Sequence, residues 1–201
     1  MALTKAVEAI DEWANVGQNA VRKGAVADVS SNFAETILHI DMALTSATAH
    51  TGTRIEVQVS SNTTGDEDWS TLVELVGPTG TANVEAIDND PLASGSTLAS
   101  CASTTGYVAD GAIFIYFKDG TIANSEMVYL ISAVTDTSVT WLDETTNEHA
   151  QGTNMYNIAK TYTVSIPFGI YRARVIIDNT YDVNGSPVDT KTRLSKVTAV
   201  S

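Results

Sequence analysis

An all-β fold is predicted: a β-sandwich of jelly-roll-like character, with a small β-barrel-like module inserted between its strands and a short N-terminal helix. Three observations predict it. In Tyr171–Asn179, residues Tyr171, Ala173, Val175 and Ile177 fall on one face by the period of two of a strand, while Arg172, Arg174 and Asp178 fall on the other. Two earlier segments share that alternation: Leu38, Ile40, Met42 and Leu44, then Ile55, Val57 and Val59. The composition is rich in Thr, Ser, Ala and Val, with only 17% charged residues, which favours strands over helices. The three alternating segments are expected to close one side of a sandwich core. More than a hundred residues separate the second from the third, which calls for an insertion.

At 201 residues the chain suits one large domain, or one domain carrying a smaller one. The sandwich is assigned to residues 1–89 and 158–201 and the module to 90–157. Along the chain, Thr4 caps a helix over 4–16, with Val7, Ile10 and Trp13 at helical spacing and acids near its start. Strands are expected at Ala25–Val29, Glu35–Leu44, Arg54–Ser60 and Trp69–Val76, followed by the turn Gly77-Pro78-Thr79-Gly80. Asp88-Asn89-Asp90-Pro91 and Ala93-Ser94-Gly95-Ser96 mark a junction. Within the module, strands are expected at Ala112–Phe117, Glu126–Val134 and Ser138–Leu142. The chain re-enters the sandwich through Thr161–Ile166, and Pro167-Phe168-Gly169 turns it into the central strand. A hairpin turn at Asp182–Pro187 leads to a last strand, Thr190–Val200.

Charge bounds the function. Net charge is −13, and residues 61–160 carry 14 acidic against 2 basic side chains, whereas residues 161–201 carry 5 basic against 3 acidic. The acidic middle repels nucleic acid, whose binding rests on Lys and Arg. No stretch has the roughly 18 apolar residues of a membrane helix. Acids at Glu8, Asp11 and Glu12 stand where a signal peptide has its apolar core, so folding in a cytoplasm is expected. The single cysteine, Cys101, precludes an intrachain disulfide and reads as a small packed residue.

Reactive constellations are sparse. Asp66-Glu67-Asp68 and Asp88-Asn89-Asp90 lack the ligand spacing of a calcium loop and read as turn acids. His39 and Asp41 share a strand face without a third partner, and His50 and His149 sit in turn-like surroundings. Asp143 and Glu144 are adjacent, so they point apart and make a poor glycosidase pair. Trp69, Trp141, Tyr107, Tyr116, Tyr129 and Tyr156 read as core, with a sugar-stacking platform as the alternative. No catalytic, cofactor-binding or metal-ligating residue is assigned.

Gly106-Tyr107-Val108-Ala109-Asp110-Gly111-Ala112-Ile113-Phe114-Ile115, then Asn124–Ile131, Ser138–Leu142 and His149-Ala150-Gln151-Gly152-Thr153, resemble the small β modules of tailed-bacteriophage virion proteins. Ala112 stands where that module usually has an acid. The flanking Val57-Gln58-Val59-Ser60 and Asp66-Glu67-Asp68-Trp69 are similar to segments of capsid-associated sandwich proteins of such phages. The resemblance implies a non-enzymatic virion subunit, a head decoration or minor capsid protein. It implies no cofactor, many copies per particle, and partners among the major capsid protein or other virion proteins rather than nucleic acid or membrane. A tail or fibre component and a carbohydrate-binding module are the alternatives. The expected partner interface combines Val7, Ile10 and Trp13 of the helix with Arg172, Arg174, Arg193 and Lys196.

Overall fold

Alternation builds the walls of the sandwich. The computed structural model describes residues 3–30, 36–65, 68–109, 114–129 and 131–200. One wall is an antiparallel sheet of order β1 (Leu3–Val16), β16 (Val188–Val200), β4 (Thr36–Leu44), β14 (Ala159–Ile166). The other has the order β2 (Val21–Lys23), β15 (Arg172–Asp178), β5 (Arg54–Ser60), β6 (Ser70–Val76), with β3 (Ala27–Asp28) paired to β15 beside β2. Leu38, Ile40 and Met42 of the first wall share one buried cluster with Ile55, Val57, Val175 and Ile177 of the second. Each such side chain contributes about 1.5–3 kcal/mol by leaving water. The central strand expected around residue 175 is β15, held between β5 and the short edge strands. The three alternating segments do not line one wall, however: β5 and β15 share one sheet and β4 lies in the other.

No helix forms over 4–16. That segment is β1, a strand paired with β16 from Leu3↔Val200 to Val16↔Val188. The helical spacing of its apolar residues has a different cause. The ladder slips between Ala9 and Asp11 and again between Asp11 and Ala14, where three steps on β1 face two on β16. Each bulge adds a residue and resets which side chain points inward. Trp13 and Val16 therefore both face apolar surroundings and are buried, a spacing of three produced by an irregular strand. A Trp at the helix-like position carried no information about which of the two periods was in force.

The inserted segment, together with Val84–Ala86 just before it, forms two small antiparallel sheets. One has the order β10 (Glu126–Val128), β9 (Ile115–Lys118), β13 (Asn154–Tyr156), β7 (Val84–Ala86), and the other the order β11 (Ile131–Thr135), β12 (Ser138–Trp141), β8 (Leu98–Ser100). Ile87, Leu92, Phe117, Val139, Trp141 and Met155 belong to a second buried cluster enclosed by these sheets. The strand expected over Glu126–Val134 divides into β10 and β11, which lie in different sheets. Residues 110–113 of the expected Ala112–Phe117 strand lie outside the described residues, and β9 starts at Ile115. β7, β8 and β13 have three residues each, too few to show a period in sequence.

The two walls are joined at their ends by crossovers. Asp182–Pro187 is no hairpin turn, since it links β15 in one sheet to β16 in the other. At the opposite end the turn Pro167-Phe168-Gly169 crosses between β14 and β15, with Gly169 at φ 88°, a left-handed conformation suited to glycine. The 179–187 crossover is built on buried polar groups. Asn179 accepts from Thr53 Oγ1 at 2.8 Å and contacts His50 Nε2 at 3.2 Å, while the Gly52 amide donates to His50 Nδ1. Burial opposes ionisation of Asp182, but donors from the Thr51, Ser186 and Asn184 amides and the Thr51 hydroxyl outweigh it and hold this carboxyl at about 2.

Two outcomes follow from this packing. Trp13→Ala should cost about 3–5 kcal/mol in urea unfolding, whereas Val7→Ala, at a position 60% exposed, should stay within about 0.5 kcal/mol. The Asp182 carboxyl sits below its unfolded value of about 3.9, so its stabilisation is full above about pH 4 and is lost as pH falls through about 2. Asp182→Asn should remove about 2 kcal/mol at neutral pH and flatten the acid limb of the melting-temperature profile in that window.

Candidate functional site

The sheet β1-β16-β4-β14 has a second face, and the module sits on it. Asp189, Lys191 and Arg193 of β16 point that way; Asp189 and Lys191 lie opposite Ala43 and Asp41 of β4, and Asp189 also pairs with Asn15 of β1. Asp189 is fully buried. It accepts from Asn15 Nδ2 at 2.7 Å and Tyr116 Oη at 2.9 Å, and Lys118 Nζ lies 3.1 Å away. The Trp13 ring meets the Tyr116 ring at 4.6 Å between centroids. Burial, and next the Asp189 charge, push the Tyr116 phenol up, so it remains a donor.

Beside this junction lies a cleft of ≈ 450 Å³, lined by Trp13, Asp41, Glu126, Tyr129, Lys191 and Arg193 among others. Arg193 grips Asp41 through Nε to Oδ2 at 2.9 Å and Nη2 to Oδ1 at 3.0 Å, and Thr161 donates to the same carboxylate at 2.7 Å. Burial works against the Arg193 charge, and Asp41 more than restores it, leaving the guanidinium above its ordinary value. Glu126 accepts from the Thr146 amide at 2.8 Å and the Asn147 amide at 3.1 Å, and lies 2.8 Å from His149 Nε2. Burial raises the Glu126 carboxyl, but these partners together bring it below the usual range. His149 is fully buried, stacks on Phe117 at 5.0 Å, and has Nδ1 3.5 Å from Asp119.

These charges act on one another. Each carboxylate on the inner wall of the cleft already holds donors that fix loops or strands, while Asp143 and Glu144 stand exposed. Among the described residues no group of three or more His, Cys, Asp and Glu is arranged to hold a metal ion. Cys101 is buried with Sγ donating to the Ser103 carbonyl, and burial pushes its thiol up, away from the reactive thiolate.

The expected interface residues do not gather in one place. Val7 is exposed, Ile10 is half-buried and Trp13 is buried at the junction, so they form no common stripe. Arg172 donates to the carbonyls of Asn62 and Thr64, and Arg174 to Gln58 Oε1; both guanidinia lie over Trp69, at 4.9 and 4.0 Å. Lys196 pairs with Glu8 at 2.7 Å. Of the aromatics offered as a sugar platform, Tyr107, Tyr116, Tyr156 and Trp141 are buried, leaving Trp69 and Tyr129 partly exposed. Asp66 and Glu67 lie outside the described residues. The sequence reading missed Asp189, the Asp41–Arg193 pair and the Glu126–His149 pair. The one available signal was polar residues interrupting apolar strand ends, and it names no partners.

No family model matches the chain, and no curated protein matches it. Among solved structures it is similar to a structure of the infectious bursal disease virus Gt strain, with 8% identity and a TM-score of 0.25 over 97% of this chain and 42% of that one. A VP2 protein of the same virus gives 9% identity and a TM-score of 0.25, covering 97% of this chain and 40% of that chain. A VP2 subviral particle gives 9% and 0.20, covering 98% and 81%. The chain thus spans about 42% and 40% of the first two. This is a distant likeness to a viral capsid protein, and at such TM-scores it carries no argument about role.

The Asp41–Arg193 pair offers a direct test of how the cleft is held. Asp41→Ala leaves a partly buried guanidinium alone and should cost about 3 kcal/mol. Adding Arg193→Met removes the lone charge and should recover part of that loss, read by denaturant unfolding of the single and double variants.

Proposed function

We propose that the protein is a non-enzymatic structural subunit of a tailed-phage particle, a head decoration or minor capsid protein seated on the shell. The observation that carries this reading is the Gly106–Thr153 sequence, which resembles virion β modules and whose distinctive residues serve its own packing. Tyr107 donates to the Met155 carbonyl at 2.6 Å, Trp141 packs on Phe117, and His149 ties Glu126 to the Phe117 ring. The acidic stretch 61–160 favours a position away from packaged nucleic acid. It also favours dense copies that remain soluble.

The partners in this reading are the major capsid protein or other virion proteins, and the location is the virion, after synthesis in the host cytoplasm. The docking surface differs from a helix laid on a neighbour. β1 supplies Trp13 and Val16 to the core, so the first strand belongs to the fold. Val7, exposed beside the Glu8–Lys196 pair, is the part of the expected interface left open to a partner. A tail or fibre position is the second reading within the same class. A glycan-binding module has less support, because most aromatics proposed for it are buried.

The test is location. Purified particles should contain the protein, found by peptide mass spectrometry at many copies, and the free protein should co-sediment with particles that lack it. Val7→Asp should weaken co-sedimentation several-fold while leaving thermal unfolding nearly unchanged. Absence from purified particles, together with selective retention on a glycan array, would overturn the reading in favour of sugar binding.

A further inference from the structure

Two groups that can together form an amide share the buried carboxylate at the junction. Asn15 Nδ2 donates to Asp189 Oδ1 at 2.7 Å, and Lys118 Nζ reaches that same oxygen at 3.4 Å and Oδ2 at 3.1 Å. Asn15 and Asp189 are direct cross-strand partners, so the carboxamide stands alongside the carboxylate. Lys118 comes from β9, on the module side. Tyr116 donates to Oδ2, and the Trp13 ring packs against the Tyr116 ring. An amine, a carboxamide and an acid between them, beside buried aromatic rings, supply a nucleophile, an electrophilic carbon and a proton carrier.

We propose that the protein carries a self-formed isopeptide bond between Lys118 Nζ and Asn15 Cγ, with Asp189 as the catalytic carboxylate. Asp189 first takes a proton from the Lys118 ammonium, which removes two charges from a site where keeping both costs desolvation. The freed Nζ lone pair attacks Asn15 Cγ, and the carbonyl π electrons move onto oxygen. Asp189 passes the proton it holds to Nδ2 and then takes the second proton from Nζ. The carbonyl re-forms, the Cγ–Nδ2 bond breaks and ammonia leaves, taking that second proton from Asp189 to become ammonium, so that Asp189 returns to carboxylate. No oxidant, reductant or cofactor is consumed. The fold brings the amine and the carboxamide to one carboxylate, Nδ2 at 2.7 Å and Nζ at 3.4 Å from the same oxygen, and such positioning is what the uncatalysed reaction lacks. The Lys118 side chain is 29% exposed, which gives the departing nitrogen a way to solvent.

Such a bond would tie the first strand of the sandwich to the module across more than a hundred intervening residues. It would restrain the unfolded chain as a long-loop crosslink does. The proposal stands on this cluster and is independent of the virion reading.

The test is the mass of the denatured full-length protein. It should be lighter than the sequence by one ammonia, and digestion should yield the Asn15 and Lys118 peptides joined. A succinimide at Asn184–Gly185 would lose the same mass, so the joined pair is the deciding observation. Lys118→Arg keeps a cation beside Asp189 and should show full mass with separate peptides, and Asp189→Asn should abolish the joined pair. A wild-type protein at full sequence mass, with the two peptides recovered separately, overturns the proposal and leaves Asp189 as an ion-pair acceptor only. A joined pair that persists in Asp189→Asn overturns the catalytic role.

Discussion

A carboxylate that is buried must be satisfied on all sides, and Asp189 imposes that requirement on the junction of the two β units. Leaving it without donors would cost several kcal/mol. Its donors come from separate parts of the chain: Asn15 from β1, and Tyr116 and Lys118 from β9. The module therefore has a defined seat on the sandwich. Trp13 completes that seat with apolar contact against Tyr116, so a directional interaction and a non-directional one specify the same docking.

The rest of the junction repeats this logic. Arg193 and Asp41 lie on adjacent strands of the same face, and their two-bond grip positions the wall of the cleft. Glu126 draws in the backbone of Thr146 and Asn147 and the ring of His149, which stitches the loop before β13 to β10. Polar groups concentrated in this way give a rigid boundary between the units. They also tie the charged side chains on the inner wall of the cleft to loops and strands of the protein itself.

The outer surface is arranged differently. Arg172 and Arg174 are laid over Trp69 and bonded to neighbouring loop and strand groups. Two cations stacked on one indole are held by the ring quadrupole as well as by hydrogen bonds. The basic character of the C-terminal segment is thus largely absorbed within the protein, and the acidic side chains of the middle segment set the character of the exterior.

The sequence by itself determined the all-β class and the bounds of β5 and, nearly, of β4, β6, β14 and β15, because strict alternation against a buried face leaves a period of two. It also determined the acidic exterior, since charge is a property of composition. Tertiary structure decided what periodicity cannot carry. Bulges in β1 turned both Trp13 and Val16 inward, three residues apart, and so gave a strand a helix-like spacing. Strands of three residues in the module were too short to have a period. Glu126–Val134 was divided between two sheets by the packing of each side rather than by its own sequence. The candidate site was hidden for the same reason: Asn15, Lys118 and Asp189 lie far apart along the chain and look like ordinary polar residues at strand positions. Only the pairing of β1 with β16, and the docking of β9 above them, brings Asn15 and Lys118 to the Asp189 carboxylate.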